Sequence, residues 1–414
     1  MPKFSKDDRG SHLAAIGYSC RSLVEAAVDL GFTVTAVDAF ADQDARDLAD
    51  CRVVGTWPDD LLSIAQQVRC DGWLLCGGME HRGRTLEKIA EAAPVLGPSR
   101  LQMQILRSLR FWRDLVLGIP GLTMPRVSRL PQPAHDMHRL DSDAGLFKPF
   151  NGSGGLHICD IRSHLQPPVQ RRGYQQEFIA GRSVGVTVWV GKNHVDYCGA
   201  TESWSSADWP GPAPYIYRGS FGPITLLPAQ IETVIRIAER VSERVGPIGW
   251  LQADLIEDNA GQLWLLELNP RWTAGMEVLH VCRRTWRESP LACHLQALAW
   301  PLRDEILDRS DRDAAPRPLQ LAKAVLYATE PILLSRDRRR ELQAYRRWQD
   351  NSSGGHWNIA DVPAVAGDET QTIEPGQPVL TIRCALDQPC ATSPQTKQKL
   401  LSGLNFAARE VLPS

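Results

Sequence analysis

Near positions 254 and 267 the sequence sets carboxylates into otherwise apolar runs. The first run is Gly249-Trp250-Leu251-Gln252-Ala253-Asp254-Leu255-Ile256. After a turn-forming Asp258-Asn259-Ala260-Gly261 comes Leu263-Trp264-Leu265-Leu266-Glu267-Leu268-Asn269-Pro270-Arg271. Two such runs joined by an Asn/Gly turn predict a hairpin. Residues two apart on a strand share a face, so Glu267, Asn269 and Arg271 are expected to point together, with Asp254 facing Glu267 from the partner strand. A buried acid pair beside an amide oxygen is costly unless a cation neutralises it. Oxygen-only ligation suits Mg²⁺, which bridges protein carboxylates and nucleotide phosphates. Asp254, Glu267 and Asn269 are therefore the expected metal ligands.

A second constellation, Phe147-Lys148-Pro149-Phe150-Asn151-Gly152-Ser153-Gly154-Gly155, delivers a lysine on a strand and follows it with a glycine-rich loop. Glycines let backbone N–H groups close on phosphate oxygens without Cβ obstruction, and the lysine adds a point charge. Gly-Lys-Ser/Thr never follows these glycines, so this is not a Walker loop, and a plain hairpin loop is the competing reading. A third group is the loop-rich insert with Trp204, Trp209, Tyr215, Tyr217 and Arg218. Aromatic faces beside an arginine suit an organic anion, which makes Arg218 the candidate substrate contact, although loop aromatics also pack on their own domain. No Ser/His/Asp or Cys/His arrangement stands out, and His157 reads as a loop histidine.

The elements that must position these groups fall into three regions. Over residues 1–100, strand-like LAAIGY (13–18), TVTAVDAF (33–40) and DGWLLCGG (71–78) alternate with helical SLVEAAVDLGF (22–32) and RTLEKIAEAA (84–93). That alternation predicts a doubly wound parallel sheet. Its first turn, Gly17-Tyr18-Ser19-Cys20-Arg21, lacks a dinucleotide fingerprint, so Asp38 is not expected to hold a ribose. The turn Gly77-Gly78-Met79-Glu80 closes a parallel strand, where open α/β sheets bind ligands. Residues 101–315 open with a helix over 101–118, continue mainly as strands, and include a helix over 229–245. A charged linker (307–318) leads to a β-type region over 316–414, with an Arg-rich, solvated stretch at 336–347.

Composition narrows the function classes. The chain has 414 residues, 43% of them hydrophobic, enough for several real cores. Its 46 basic and 48 acidic residues give a net charge of −2, which argues against a dedicated nucleic-acid partner. No apolar run approaches the roughly 20 residues of a membrane span, and the start carries charges where a signal peptide needs apolar residues. The 10 cysteines are scattered without a C-x-x-C pair, as expected of thiols in a reducing cytoplasm.

In order and spacing, Lys148 with Asn-Gly-Ser-Gly-Gly, then Gln175-Gln176-Glu177-Phe178-Ile179-Ala180-Gly181, then Asp254 and Glu267-Leu268-Asn269-Pro270-Arg271, resembles the ATP-grasp superfamily over about residues 100–300. AIGYSCRSLVEAAVDLGFTVTAVDAFAD, YRGSFGPITLLP and ELNPRWTAGMEVL resemble, more narrowly, ATP-grasp proteins associated with tetrahydromethanopterin-linked one-carbon metabolism. The resemblance implies an α/β and α+β chain: an ATP-grasp fold preceded by a doubly wound pre-ATP-grasp domain and followed by a small β-rich domain. It implies ATP and Mg²⁺ as cofactors, with Lys148 on the α/β phosphates and Gly152, Ser153, Gly154 and Gly155 as a lid. Glu177, Phe178 and Ile179 fall where the family's hinge holds adenine. Arg271 would face the γ-phosphate or an acyl phosphate. The family's further cation has two candidates, Arg107 and Arg110. The implied reaction joins a small-molecule carboxylate to an amine or thiol through an acyl phosphate. A phosphotransferase on the same fold and a nucleotide-binding regulator without turnover are the alternatives; a homodimer is left open.

Overall fold

The computed structural model describes residues 11–129, 145–161, 172–192, 194–285, 288–301, 317–351, 355–364, 370–388, 390 and 393–412. Strands His12–Gly17, Thr33–Asp38, Asp50–Val53, Gly72–Leu75 and Val95–Leu96 form a parallel sheet. The first strand along the chain, His12–Gly17, lies at its centre. Helices Arg21–Asp29 and Gly83–Ala90 bury their apolar stripes against it. The sequence pattern finds His12–Gly17, Thr33–Asp38 and Gly72–Leu75; Asp50–Val53 is polar and mostly exposed, and Val95–Leu96 has only two residues, so neither stands out.

The expected helix over 101–118 is two helices, Arg100–Leu106 and Leu109–Val116. Ser108 breaks it: its hydroxyl accepts the Phe111 N–H at 3.4 Å and caps the second helix. Arg107 sits at that corner and leaves the helical face it would otherwise share. The expected linker lies, through residue 316, outside the described residues.

A four-stranded antiparallel sheet holds Gly145–Pro149 between Cys159–Asp160 and Gly173–Glu177. A ten-stranded sheet runs from Gln349–Asn351 at one edge to Leu122–Thr123 at the other. Its middle comprises Gly219–Gly222, Val195–Ser203, Arg182–Val190, Gly249–Glu257 and Leu263–Asn269. The sheet passes straight through the expected boundary near 315, because Gln320–Tyr327 pairs with Gly219–Gly222. The C-terminal region adds a helix, Ser393–Val411, to its strands. The Arg-rich stretch is also helical over Arg336–Ala344, with Arg339 buried.

One face of the large sheet packs Leu251, Ala253, Leu255, Leu263, Leu265 and Leu268 against the helix Pro228–Val245. The other face turns toward the N-terminal sheet. There the helix Ala274–Val281 carries Glu277, whose buried carboxylate binds Arg21 at 2.6 Å and also Lys323, with Arg383 at 3.4 Å. The three cations hold Glu277 well below the usual carboxylate range, against the cost of burial.

Removing this anion takes the shared partner from three buried cations; Arg21 keeps Glu25, Asp44 and Asp361, and Arg383 keeps Glu25. Glu277→Ala should destabilise the protein by roughly 3–5 kcal/mol, read as a lowered Tm. The folded pKa is depressed, so the contribution is complete above the unfolded carboxylate pKa and fades as pH falls toward the folded one. The Tm gap between wild type and variant should therefore be full at pH 7 and shrink only in acid. A constant gap down to acid pH would refute the charge assignment.

Candidate active site

The hairpin forms as the sequence predicts, with Asp254 directly opposite Glu267. One feature was not legible: the register slips beyond that pair, where Leu255 faces Leu265, so Leu266 is an unpaired bulge residue. The bulge changes which residues share a face. Leu263, Leu265 and Leu268 all enter the core, an impossible set for a regular strand. Glu267 and Asn269 thereby point together away from the core, onto the face that carries Gln252 and Asp254.

Around Asp254 the partners are neutral. Gln252 donates to its Oδ1 at 2.6 Å and Asn269 to its Oδ2 at 2.8 Å. Gln252 is oriented in turn by the Thr273 hydroxyl. Burial, followed by the Glu267 charge, pushes Asp254 up to about 6. Glu267 is paired with Arg107 and Glu80 with Arg271. Burial opposes ionisation of Glu80, yet the Arg271 and Arg107 charges bring it down to about 2. Arg271 also donates to the Trp272 carbonyl at 3.1 Å and to Asn269 Oδ1 at 3.4 Å.

Lys148 comes from the neighbouring four-stranded sheet, where it lies opposite Tyr174. Burial lowers its pKa, while the charges of Glu267 and Asp254 act to raise it. The cluster thus holds Glu80, Asp254 and Glu267 with Lys148, Arg107 and Arg271. Among the described residues no three His, Cys, Asp or Glu side chains converge to cage a metal. Two facing carboxylates and an amide oxygen make an open oxygen set of the kind Mg²⁺ shares with phosphates. Asp254 itself makes no direct ion pair among the described residues; its bonds are to Gln252 and Asn269.

The loop after Lys148, the expected lid, has a defined shape. Gly154 and Gly155 have φ of +61° and +79°. The Gly154 carbonyl accepts the Tyr217 N–H at 3.1 Å, and a Cβ at Gly155 would overlap the Tyr215 carbonyl. Open space surrounds Gly154, so the tight glycine is Gly155. Gly152 and Ser153 lie in the same loop, the Gly152 carbonyl 3.4 Å from His81 Nε2. Where the adenine hinge is expected, Glu177 accepts the Arg126 backbone N–H at 3.0 Å, Phe178 is exposed, and Ile179 is half-buried.

Two of the residues singled out from the sequence lie elsewhere. Arg110 is 85% exposed and, among the described residues, pairs with Asp114 at 3.9 Å, whereas Arg107 is in the cluster; the break at Ser108 separates them. Arg218 is buried, and its guanidinium donates to the carbonyls of Ala213, Pro214 and Ile216 at 2.6, 2.8 and 2.9 Å. It braces the insert from inside and is not a substrate contact. Sequence reasoning missed Glu80 as a partner of Arg271 and His81 as a neighbour of Arg107. The turn Gly77-Gly78-Met79-Glu80 reads from the sequence as a strand end suited to a ligand, but no local pattern pairs Glu80 with a residue 191 positions away.

Residues 122–275 match the ATP-grasp domain family. No curated protein sequence matches the chain. Solved structures with the same fold include N5-carboxyaminoimidazole ribonucleotide synthetase from Thermus thermophilus (17% identity, TM-score 0.62, covering 97% of this chain and 99% of that one). The Staphylococcus aureus N5-carboxyaminoimidazole synthetase, complexed with ADP, matches at 14% identity and TM-score 0.62, over 97% and 99% of the two chains. The biotin carboxylase domain of Hydrogenobacter thermophilus 2-oxoglutarate carboxylase, in complex with MgADP and bicarbonate, matches at 12% identity and TM-score 0.63, over 91% and 86%. Residues 122–275 are thus similar to the ATP-grasp domain, and the chain as a whole shares the fold of these solved structures.

Replacing Gly155 and Gly154 in turn separates close approach from backbone strain. Gly155→Ala should displace the lid from Tyr215 and raise the KM for ATP about tenfold or more, while Gly154→Ala meets only the φ penalty of roughly 1 kcal/mol. In the same assay Arg107→Ala should lose most turnover and Arg110→Ala none. Equal effects within either pair would refute the placement.

Proposed function

We propose that the chain is an ATP- and Mg²⁺-dependent ligase that activates a small-molecule carboxylate as an acyl phosphate and joins it to an amine or thiol. The observation that carries this reading is the convergence of Asp254, Glu267 and Asn269 on one sheet face with Lys148, Arg107 and Arg271. In the proposed reaction a carboxylate oxygen attacks the γ-phosphorus of ATP and ADP leaves. The nucleophile then attacks the acyl carbon and expels inorganic phosphate, with its proton passing to solvent or phosphate.

Each residue has a task set by charge. Asp254, Glu267 and Asn269 would hold Mg²⁺, which when bound supplies positive charge between carboxylates and phosphate oxygens. Lys148 would meet the α/β phosphates, under the lid formed by Gly152, Ser153, Gly154 and Gly155. Arg271 would face the phosphoryl group in transfer, its fork shared with Glu80 until substrate enters. Glu177, Phe178 and Ile179 would bind adenine through their main chain, a role suited to residues at a strand end. Two anions approach each other in this chemistry, so neutralisation and orientation supply most of the catalysis and no enzyme nucleophile is needed.

A narrower proposal, that the ligase serves one-carbon cofactor synthesis, is supported only by the sequence stretches quoted above. Bicarbonate belongs among the acids to be tried, since the 2-oxoglutarate carboxylase domain was crystallised with it.

The test is ADP release from MgATP across a panel of acids, bicarbonate and amines. Glu267→Gln should cut turnover by at least about a hundredfold while the protein stays folded, with Tm lowered only by the loss of the Arg107 ion pair, because shape is kept and a metal-binding charge is lost. Arg271→Lys should lower kcat with every co-substrate and leave the KM for ATP within about twofold. Undiminished turnover in Glu267→Gln would overturn the reading.

A further inference from the structure

The N-terminal parallel sheet reverses its winding between His12–Gly17 and Gly72–Leu75, its two central neighbours. Crevices at such reversals, beyond the carboxyl ends of the strands, are where open α/β sheets take ligands. The loops that leave this edge are tied into a rigid rim. Tyr18 N–H donates to the Gly77 carbonyl at 2.8 Å, and Val54 N–H to the Asp38 carbonyl at 2.8 Å. The Asp38 carboxylate accepts three backbone N–H groups, from Cys20 at 2.5 Å, Phe40 at 2.6 Å and Ala41 at 2.7 Å. One buried acid thus fixes the loops that carry Tyr18 and Phe40.

On that rim Tyr18 meets Phe40 edge to face, with ring centroids 5.0 Å apart and planes at 83°. It meets Trp57 in the same way, at 5.4 Å and 78°. Despite this packing, Tyr18 keeps 43% and Phe40 39% of its surface exposed. Perpendicular rings make a corner in which a flat ring stacks on one face and takes an edge from the other. The corner adjoins the reactive cluster. A Cβ added at Gly78 would lie 2.9 Å from the Trp57 ring and 3.5 Å from Tyr18 Cβ. At the preceding residue, Gly77, it would lie 3.7 Å from the Arg271 guanidinium carbon.

We propose that Tyr18, Phe40 and Trp57 form a subsite for an aromatic or heteroaromatic ring of the organic co-substrate, whose reacting end then reaches Arg271. The assignment of that ring to a co-substrate rests on the ligase reading; the ring-binding site itself does not. Rigid loops and half-exposed faces give a preorganised surface, so the ring is bound without loop ordering.

The test uses the full chain and ligand-observed saturation-transfer NMR, with benzoate and benzylamine as probes and cyclohexanecarboxylate and cyclohexylmethylamine as saturated controls. At least one aromatic probe should show transfer that its saturated counterpart lacks. Tyr18→Ala and Phe40→Ala should each weaken it about tenfold, while Tyr18→Phe keeps it and MgADP affinity stays unchanged. Absence of transfer from both aromatic probes, equal transfer from the saturated controls, or binding that survives both alanine variants would overturn the subsite. So would an oligomer in wild type that Tyr18→Ala dissociates, since the rings would then be a face between copies. Ring binding without ADP release from any panel member would count against the ligase reading alone. ADP release with non-aromatic pairs and no ring binding would count against the subsite alone.

Discussion

Everything in this molecule turns on the burial of the Glu277 carboxylate among cations that come from distant parts of the chain. Arg21 arrives from the first helix of the N-terminal sheet, and Lys323 and Arg383 from strands near the far end. A buried anion surrounded in this way does little for net stability compared with apolar packing, but it tolerates no other arrangement. Glu277 follows Arg271 closely along the chain, on the helix that begins at Ala274. Fixing it also fixes the segment that leaves the acidic hairpin. The distance between Arg271 and the Gly77-Gly78 turn is therefore set by electrostatics at a point where all three regions meet.

Within the reactive cluster the same physics is left unfinished. Arg271 neutralises Glu80 and Arg107 neutralises Glu267, whereas Asp254 is given only amide donors. The consequence is visible in the opposite directions in which Glu80 and Asp254 are displaced. A protein that wanted a stable resting interior would place a cation beside Asp254. Under the proposed function, that shortage of charge is where a metal and a polyphosphate would be received together.

The hairpin was legible because its chemistry is local: acids in apolar runs around an Asn/Gly turn leave few alternatives. The parallel sheet was legible through periodicity. The bulge at Leu266 was not, since two-residue alternation alone sets Leu265 and Glu267 on one face and only the packed core forbids it. Arg107 could not be separated from Arg110 because the sequence reads as one helix and Ser108 looks like an ordinary polar residue within it. Arg218 misled for a related reason. An arginine among aromatics signals an anion when its guanidinium is exposed, and nothing in the sequence reveals that three carbonyls of its own loop surround it. Asp38 shows the complementary case: it occupies a ribose-acid position but spends its oxygens on backbone N–H groups.

The continuity of the ten-stranded sheet has a consequence for how the chain is made. Gly219–Gly222 needs Gln320–Tyr327 at its flank, and that strand needs Pro378–Leu386, which emerges from the ribosome more than a hundred residues after the hairpin. Until then the central strands present an open hydrogen-bonding edge, the kind of surface on which nascent chains stick to one another. The reactive hairpin is translated well before its sheet can close. Synthesis of Pro378–Leu386, rather than of the hairpin itself, is what lets the sheet close.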